Sequence, residues 1–158
     1  MSLSGLVHIY VPSMEGLNGL KRAAFNLRKF FHLSKASLIY KRFSAAHQRL
    51  QIEAVVKIES SDEALDFRAL QREMKQFNAT ILLFKGQLRV DPEITLPHPA
   101  LLQDPFLLKM AAEVEPYWEH RVSMETLQGL VSQFQSTDQV ELLTQGSELI
   151  NLTIKGLA

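Results

Sequence analysis

The chain has 158 residues, 46% hydrophobic and 22% charged, with a formal net charge of zero. That is the composition of one globular domain over residues 1–158, and zero net charge gives no electrostatic case for nucleic acid. The lack of cysteine excludes disulfides, thiolate zinc sites and cysteine nucleophiles; with no signal-peptide pattern and no apolar run of membrane-spanning length, a cytoplasmic protein that does not enter a membrane is expected.

Val7 to Val11 reads as a strand closed by Pro12, with Ser13 placed to cap a helix. In that helix Leu17, Leu20, Ala24, Leu27 and Phe31 recur at helical spacing. Ala36 to Phe43 reads as a strand with a basic end, and Ser44 to Arg49 as a connector. From Leu50 to Ile58 the pattern alternates. Ile52, Ala54, Val56 and Ile58 take one face, while Gln51, Glu53, Val55 and Lys57 take the other, polar enough for a site or water.

Ser60 and Glu63 have capping-box spacing before a helix marked by Phe67, Leu70, Met74 and Phe77. Ile81 to Phe84 is a continuous apolar run, suited to a strand buried on both faces; Lys85-Gly86 turns it into a short return strand, Gln87 to Val90. Four of the six prolines lie from Asp91 to Pro105, which reads as a loop held off helix and sheet. Asp104-Pro105 is an N-cap and first-turn pair for a helix carrying Phe106, Met110 and Val114. Ser123 caps another, with Leu127, Leu130, Val131 and Phe134. Val140 to Leu143 and Leu149 to Ile154 suggest a terminal hairpin around Gln145-Gly146. The order predicts an α+β fold: a ferredoxin-like βαββαβ core with extra C-terminal helices.

Charge is unevenly spread. Eight basic residues and no acid lie between Glu15 and Glu53, and eight acids face only Lys109 and Arg121 from Asp104 to Glu148. Two solvated faces explain this, as does an anion-binding face or a pair of complementary patches in a homo-oligomer or against a protein partner. Glu113, Glu115, Glu119 and His120 would form a metal site only if two turns converged, and a solvated helix end is the plainer reading.

Two stretches resemble the hydroxymethyl-dihydropterin pyrophosphokinase family. Ile81 to Pro116 carries an apolar strand running to Phe84-Lys85-Gly86, the loop Leu96-Pro97-His98, Phe106 eight residues on, and the acid-rich end Glu113-Val114-Glu115-Pro116. Glu53 to Ser60 resembles the family's strand beginning Asn-Ala-Ala-Val. The resemblance implies transfer of pyrophosphate from ATP to a pterin alcohol, assisted by two magnesium ions. It also implies that His98 contacts nucleotide phosphate and that Phe106 stacks on the pterin. From the residues alone, a loop cap is the plainer reading of His98 and a core position the plainer reading of Phe106.

The departures are chemical. The family's two metal-binding aspartates correspond to Asn78 and Thr80, whose neutral oxygens lack the main attraction for magnesium. No arginine-rich loop fits between Arg72 or Lys75 and Asn78, and the opening Gly-Ser-Asn turn reads Pro12-Ser13-Met14. The pterin-binding asparagine corresponds to Glu53, and an arginine to Asp104. A carboxylate at Glu53 suits the paired N–H groups of a pterin, or a solvated ion pair with Lys57 or Arg49. A pocket bounded by Glu53 and Phe106 would favour pterin binding, and a collapsed apolar patch a partner surface. The expectation is a family member without catalysis, acting as a binding or interaction domain. The alternatives are an active enzyme with a metal site rebuilt on Glu53 or Asp104, and an unrelated ferredoxin-like interaction module.

Overall fold

The computed structural model describes residues 3–61, 65–91, 93–136 and 138–151. In chain order the elements are β1 (Leu3–Pro12), α1 (Gly16–Leu27), β2 (His32–Ala36), β3 (Ile39–Ser44), β4 (Arg49–Ser60), α2 (Phe67–Met74) and β5 (Ala79–Phe84). There follow β6 (Arg89–Val90), β7 (Thr95–Leu96), α3 (Ala100–Gln103), α4 (Pro105–Val114), β8 (Glu119–His120), β9 (Glu125–Thr126), α5 (Leu127–Gln133), β10 (Val140–Thr144) and α6 (Ser147–Ile150).

The main sheet runs β10-β3-β4-β1-β5, every pairing antiparallel, with β2 also on β4. Taking β2 and β3 as one interrupted strand, this is the βαββαβ order expected. β4 is twelve residues long and receives the two short strands end to end. The break falls at Ser37, whose N–H donates to Val55 O (2.8 Å) and whose Oγ accepts from Val55 N–H (3.0 Å). The strand expected from Ala36 to Phe43 is therefore two.

The alternation in β4 divides the core. Val7, Ile9, Val11, Ile52, Ala54, Val56 and Ile58 pack against α1 and α2 with Leu20, Leu27, Leu70 and Met74. Each fully buried leucine there contributes about 2 kcal/mol. The opposite face, with Leu6, Val55 and Leu82, is closed by α4 and α5 through Leu108, Met110, Ala111 and Leu127.

Several starts and stops differ from expectation. Ser13 opens a 3-10 turn instead of capping α1, and Gly16, at φ 67°, bends the chain into the helix in a conformation that favours glycine. α2 is capped by Asp66, whose carboxylate accepts from Ala69 N–H (3.2 Å); of the expected capping box, Ser60 lies in β4 and Glu63 outside the described residues. Asp104 does cap α4, accepting from Phe106 and Leu107 N–H at 3.2 Å each, with Pro105 in the first turn. α5 is capped by Thr126 Oγ1 (3.0 Å to Gly129 N), because Ser123 is used in the turn between β8 and β9. The proline-rich stretch holds β7 and α3 where only loop was expected.

The expected terminal hairpin does not form. β10 pairs with β3, residues 147–150 are helical, and residues 152–154 lie outside the described residues. Gly146 makes this approach possible, since a Cβ there would collide with the carbonyl oxygens of Ala36 and Ser37. Part of the charge asymmetry is resolved within the chain. Lys21 meets Glu148 (3.3 Å), Lys35 and Lys57 meet Glu115 (3.4 and 2.9 Å), and Arg42 meets Asp104 (2.6 Å) and Asp138 (2.9 Å). Lys21, Lys35 and Arg42 of the basic segment thus find partners in the acidic one.

Candidate functional site

On the sheet face toward α4, strand alternation brings polar residues from four strands together: His8 and Tyr10 from β1, Arg42 and Ser44 from β3, Glu53 from β4 and Thr80 from β5. Register places Glu53 between Tyr10 and Tyr40. Glu53 is fully buried, so it is neither solvated nor paired with Lys57 or Arg49. Its Oε2 accepts from Arg42 Nε (2.6 Å), and its Oε1 from Arg42 Nη2 (3.0 Å) and His8 Nε2 (2.9 Å). Burial alone would raise its pKa; the His8 and Arg42 contacts outweigh burial and hold it at about 2.

Arg42 is the hub. Beyond its two bonds to Glu53, Nη1 donates to Asp104 Oδ1 (3.1 Å) and Asp138 Oδ2 (2.9 Å), and Nη2 to Asp104 Oδ2 (2.6 Å). All five guanidinium N–H bonds are thus taken by three carboxylates. Cζ also lies 5.1 Å from the centroid of the Phe106 ring, a cation–π distance. Tyr40 meets that ring edge-on (4.9 Å, 84°) and donates its hydroxyl to Glu113 Oε2 (2.6 Å), which together with burial drives the phenol pKa upward.

Phe106 is buried in the second core cluster, so the core reading of this residue holds. Its ring also lines a 410 Å³ cavity with Lys109, Phe134, Asp138 and Val140. A separate 200 Å³ cavity is lined by His8, Tyr10, Arg42, His47, Thr80 and His98, among others; His47 stacks on Tyr10 at 4.3 Å. Among the described residues neither of these two cavities is lined by both Glu53 and Phe106, and Arg42 contacts both side chains.

His98 is a loop residue that caps its own turn and borders two cavities. Its Nδ1 accepts from Ala100 N–H (3.0 Å), a local cap, and its ring lines the 200 Å³ cavity and a 300 Å³ neighbour with Thr80 and Lys75. Burial, then the charges of His8 and Lys75, lower its pKa; the neutral ring carries its proton on Nε2 as a donor. Asn78 departs from expectation. It sits before β5 in the left-handed region (φ 57°, ψ 48°), its carbonyl accepting from Tyr10 N–H (3.1 Å), so it and Thr80 do not share a strand face.

The donors do not fit a pair of magnesium ions. Asn78 and Thr80 are neutral, and both oxygens of Asp104 are occupied by Arg42 and the α4 amides. The second acidic cluster also disperses: Glu113 bonds Tyr40, Glu115 bonds Lys57, and Glu119 bonds Arg121. Among the described residues no group of three acids or histidines is arranged to hold a metal.

Arg42, His8, Tyr10 and His47 were not singled out in the sequence. For the first three the available signal was polar residues at alternate positions on β1, β3 and β4, on the face opposite the apolar one, whereas His47 lies in the turn between β3 and β4 and carried no such signal.

No family model and no curated protein matches the chain. Solved structures do. Wild-type Plasmodium falciparum HPPK-DHPS with SDX-DHP superposes with a TM-score of 0.67 at 8% identity, covering 84% of this chain and 44% of that one. The same wild-type enzyme with STZ-DHP gives 0.66 at 8%, covering 84% and 43%, and with pterin and p-hydroxybenzoate 0.62 at 8%, covering 84% and 42%. The fold is HPPK-like. At this identity the likeness is one of fold, and the chain spans under half the length of these bifunctional enzymes. An HPPK-like fold agrees with the family that Ile81 to Pro116 resembles, and among the described residues no helix is long and apolar enough to cross a membrane.

Proposed function

We propose that this chain is a non-catalytic domain of HPPK-like fold, a binding or interaction protein of the cytoplasm that no longer transfers pyrophosphate. One observation carries the reading: Arg42, the only arginine among the described residues that line the 200 Å³ cavity, is saturated by Glu53, Asp104 and Asp138. A triphosphate needs unspent cations around it. Here one guanidinium faces three carboxylates, and an added polyanion would meet repulsion. Neutral Asn78 and Thr80 add no grip on magnesium.

One feature favours a second reading, a residual nucleotide site without transfer: Lys75, Thr80 and His98 share the 300 Å³ cavity. The test is incubation with ATP, magnesium and hydroxymethyl-dihydropterin. The expected result is no AMP above an enzyme-free control, and measurable turnover would reject the proposal. Calorimetric titration with ATP alone separates the two readings, since only a residual nucleotide site gives heat that the Lys75→Ala variant loses.

A further inference from the structure

The main sheet ends in β5 on one side and β10 on the other, and the two edges are finished differently. The outer side of β5 is closed. Gln71 accepts from Ile81 N–H (2.8 Å) and donates to Ala79 O (3.0 Å), and His98 N–H donates to Leu82 O (2.6 Å). β10 has no such cover: among the described residues its main-chain hydrogen bonds run to β3 alone. A row of unpaired N–H and C=O groups is a template for another strand.

Edge strands are commonly blunted by lysine or proline. β10, Val-Glu-Leu-Leu-Thr, has neither, and its one charge, Glu141, stands opposite Lys41 of β3. Val140 and Leu142 lie opposite Arg42 and Tyr40, on the α4 face, and are 38% and 57% exposed. Phe134, 40% exposed, and Val131 extend this apolar strip around the 410 Å³ cavity that Val140 also lines. An apolar strip along an open strand edge marks an interaction surface. The register on β3 is regular from Val140 to Leu142 and shifts before Thr144, so the usable edge is short.

We propose that β10 is the docking edge for a second copy of this chain, the two β10 strands pairing antiparallel about a twofold axis at Leu142. Backbone groups in a row fit an extended strand, and β10 itself has the matching character. A twofold axis perpendicular to the sheet keeps both α4 faces on the same side, so the axis must pass through a residue pair of like facing. An axis at Glu141 would set two carboxylates opposite each other, which is unfavourable. An axis at Val140 would set Asp138, already bonded to Arg42, against Leu142 of the other copy. An axis at Leu142 sets leucine on leucine and moves the two Glu141 carboxylates apart. Zero net charge puts no long-range repulsion between copies. Because the edge is short, association sits at the small end of specific interfaces. The inference goes beyond the non-catalytic reading and does not depend on it, since the edge is the same whether or not pyrophosphate is transferred.

The test is sedimentation equilibrium of the full chain from about 1 to about 500 µM, a range that resolves weak self-association. Wild type is expected to pass from one copy to two. Leu142→Lys, at an exposed position, should keep the circular dichroism and melting of wild type and weaken association at least tenfold. Crosslinking gives a second measurement, because the chain has no cysteine of its own. Leu142→Cys should oxidise to a covalent dimer at least tenfold faster than Leu88→Cys, which is similarly exposed at 56% but follows β5 at the opposite edge. Directly opposed residues in an antiparallel pair lie about 4.5 to 5.5 Å apart at Cα, within disulfide reach. Wild type that stays a single copy would leave the edge to a different protein and overturns the proposal. Undiminished pairing of Leu142→Lys, or equal oxidation of the two cysteine variants, overturns it as well.

Discussion

Replacing Glu53 by glutamine removes the carboxylate while keeping its shape. All three groups that meet it, Arg42 Nε, Arg42 Nη2 and His8 Nε2, are donors. A carboxamide has one acceptor oxygen, and its NH2 must face one of those donors. The magnitude follows from linkage. The folded pKa of about 2, against 4.5 ordinarily, corresponds to about 3 kcal/mol in favour of the folded state at neutral pH. This agrees with the cost of about 3 to 5 kcal/mol for breaking a buried pair, and the lower end applies because Asp104 and Asp138 still balance Arg42. The sign is that of a depressed carboxylate: the contribution is complete above the unfolded value of 4.5 and is lost as pH falls toward 2. Urea unfolding of wild type and Glu53→Gln at neutral pH and at about pH 3 is the assay. The wild type should be more stable by about 3 kcal/mol at neutral pH, with the gap narrowing in acid. Parallel pH dependence in the two proteins would refute the argument, since the charge on Glu53 would then be energetically silent.

Gln71, buried on α2, donates to Ala79 O (3.0 Å) and accepts from Ile81 N–H (2.8 Å), closing the outer edge of β5. Gln71→Ala should cost about 2 kcal/mol by leaving two main-chain groups unpaired, and hydrogen exchange at Ile81 should accelerate. Gly5→Ala would put a Cβ 2.7 Å from Leu83 O and 2.9 Å from the Phe84 ring, against backbone that cannot yield cheaply; a loss of about 2 kcal/mol in denaturant titration is expected. His120 is buried, and burial lowers its pKa below 6.5. The unfolded chain takes the proton first, so stability should decline as pH drops below 6.5, and a His120→Leu variant should decline less over the same range.

Period and punctuation in the sequence determined a good deal by themselves. The two-residue period from Ile52 to Ile58 assigned one face of β4 to the core, and Asp104-Pro105 marked the start of α4, because both signals act within a few residues. The order of elements carried the fold class, and the short likeness around His98 and Phe106 led to the family whose fold the solved structures share. Sequence could not show what fills the site. Arg42 is eleven residues from Glu53, 62 from Asp104 and 96 from Asp138. Only antiparallel pairing of β3 with β4, and the return of the C-terminal segment onto β3, set those charges within bonding distance. A carboxylate takes its partner from whatever the fold brings within a few ångströms when water is excluded. Glu53 therefore read as a ligand-binding acid or, more plainly, as a solvated strand residue, and tertiary packing decided that its partner is the protein's own guanidinium.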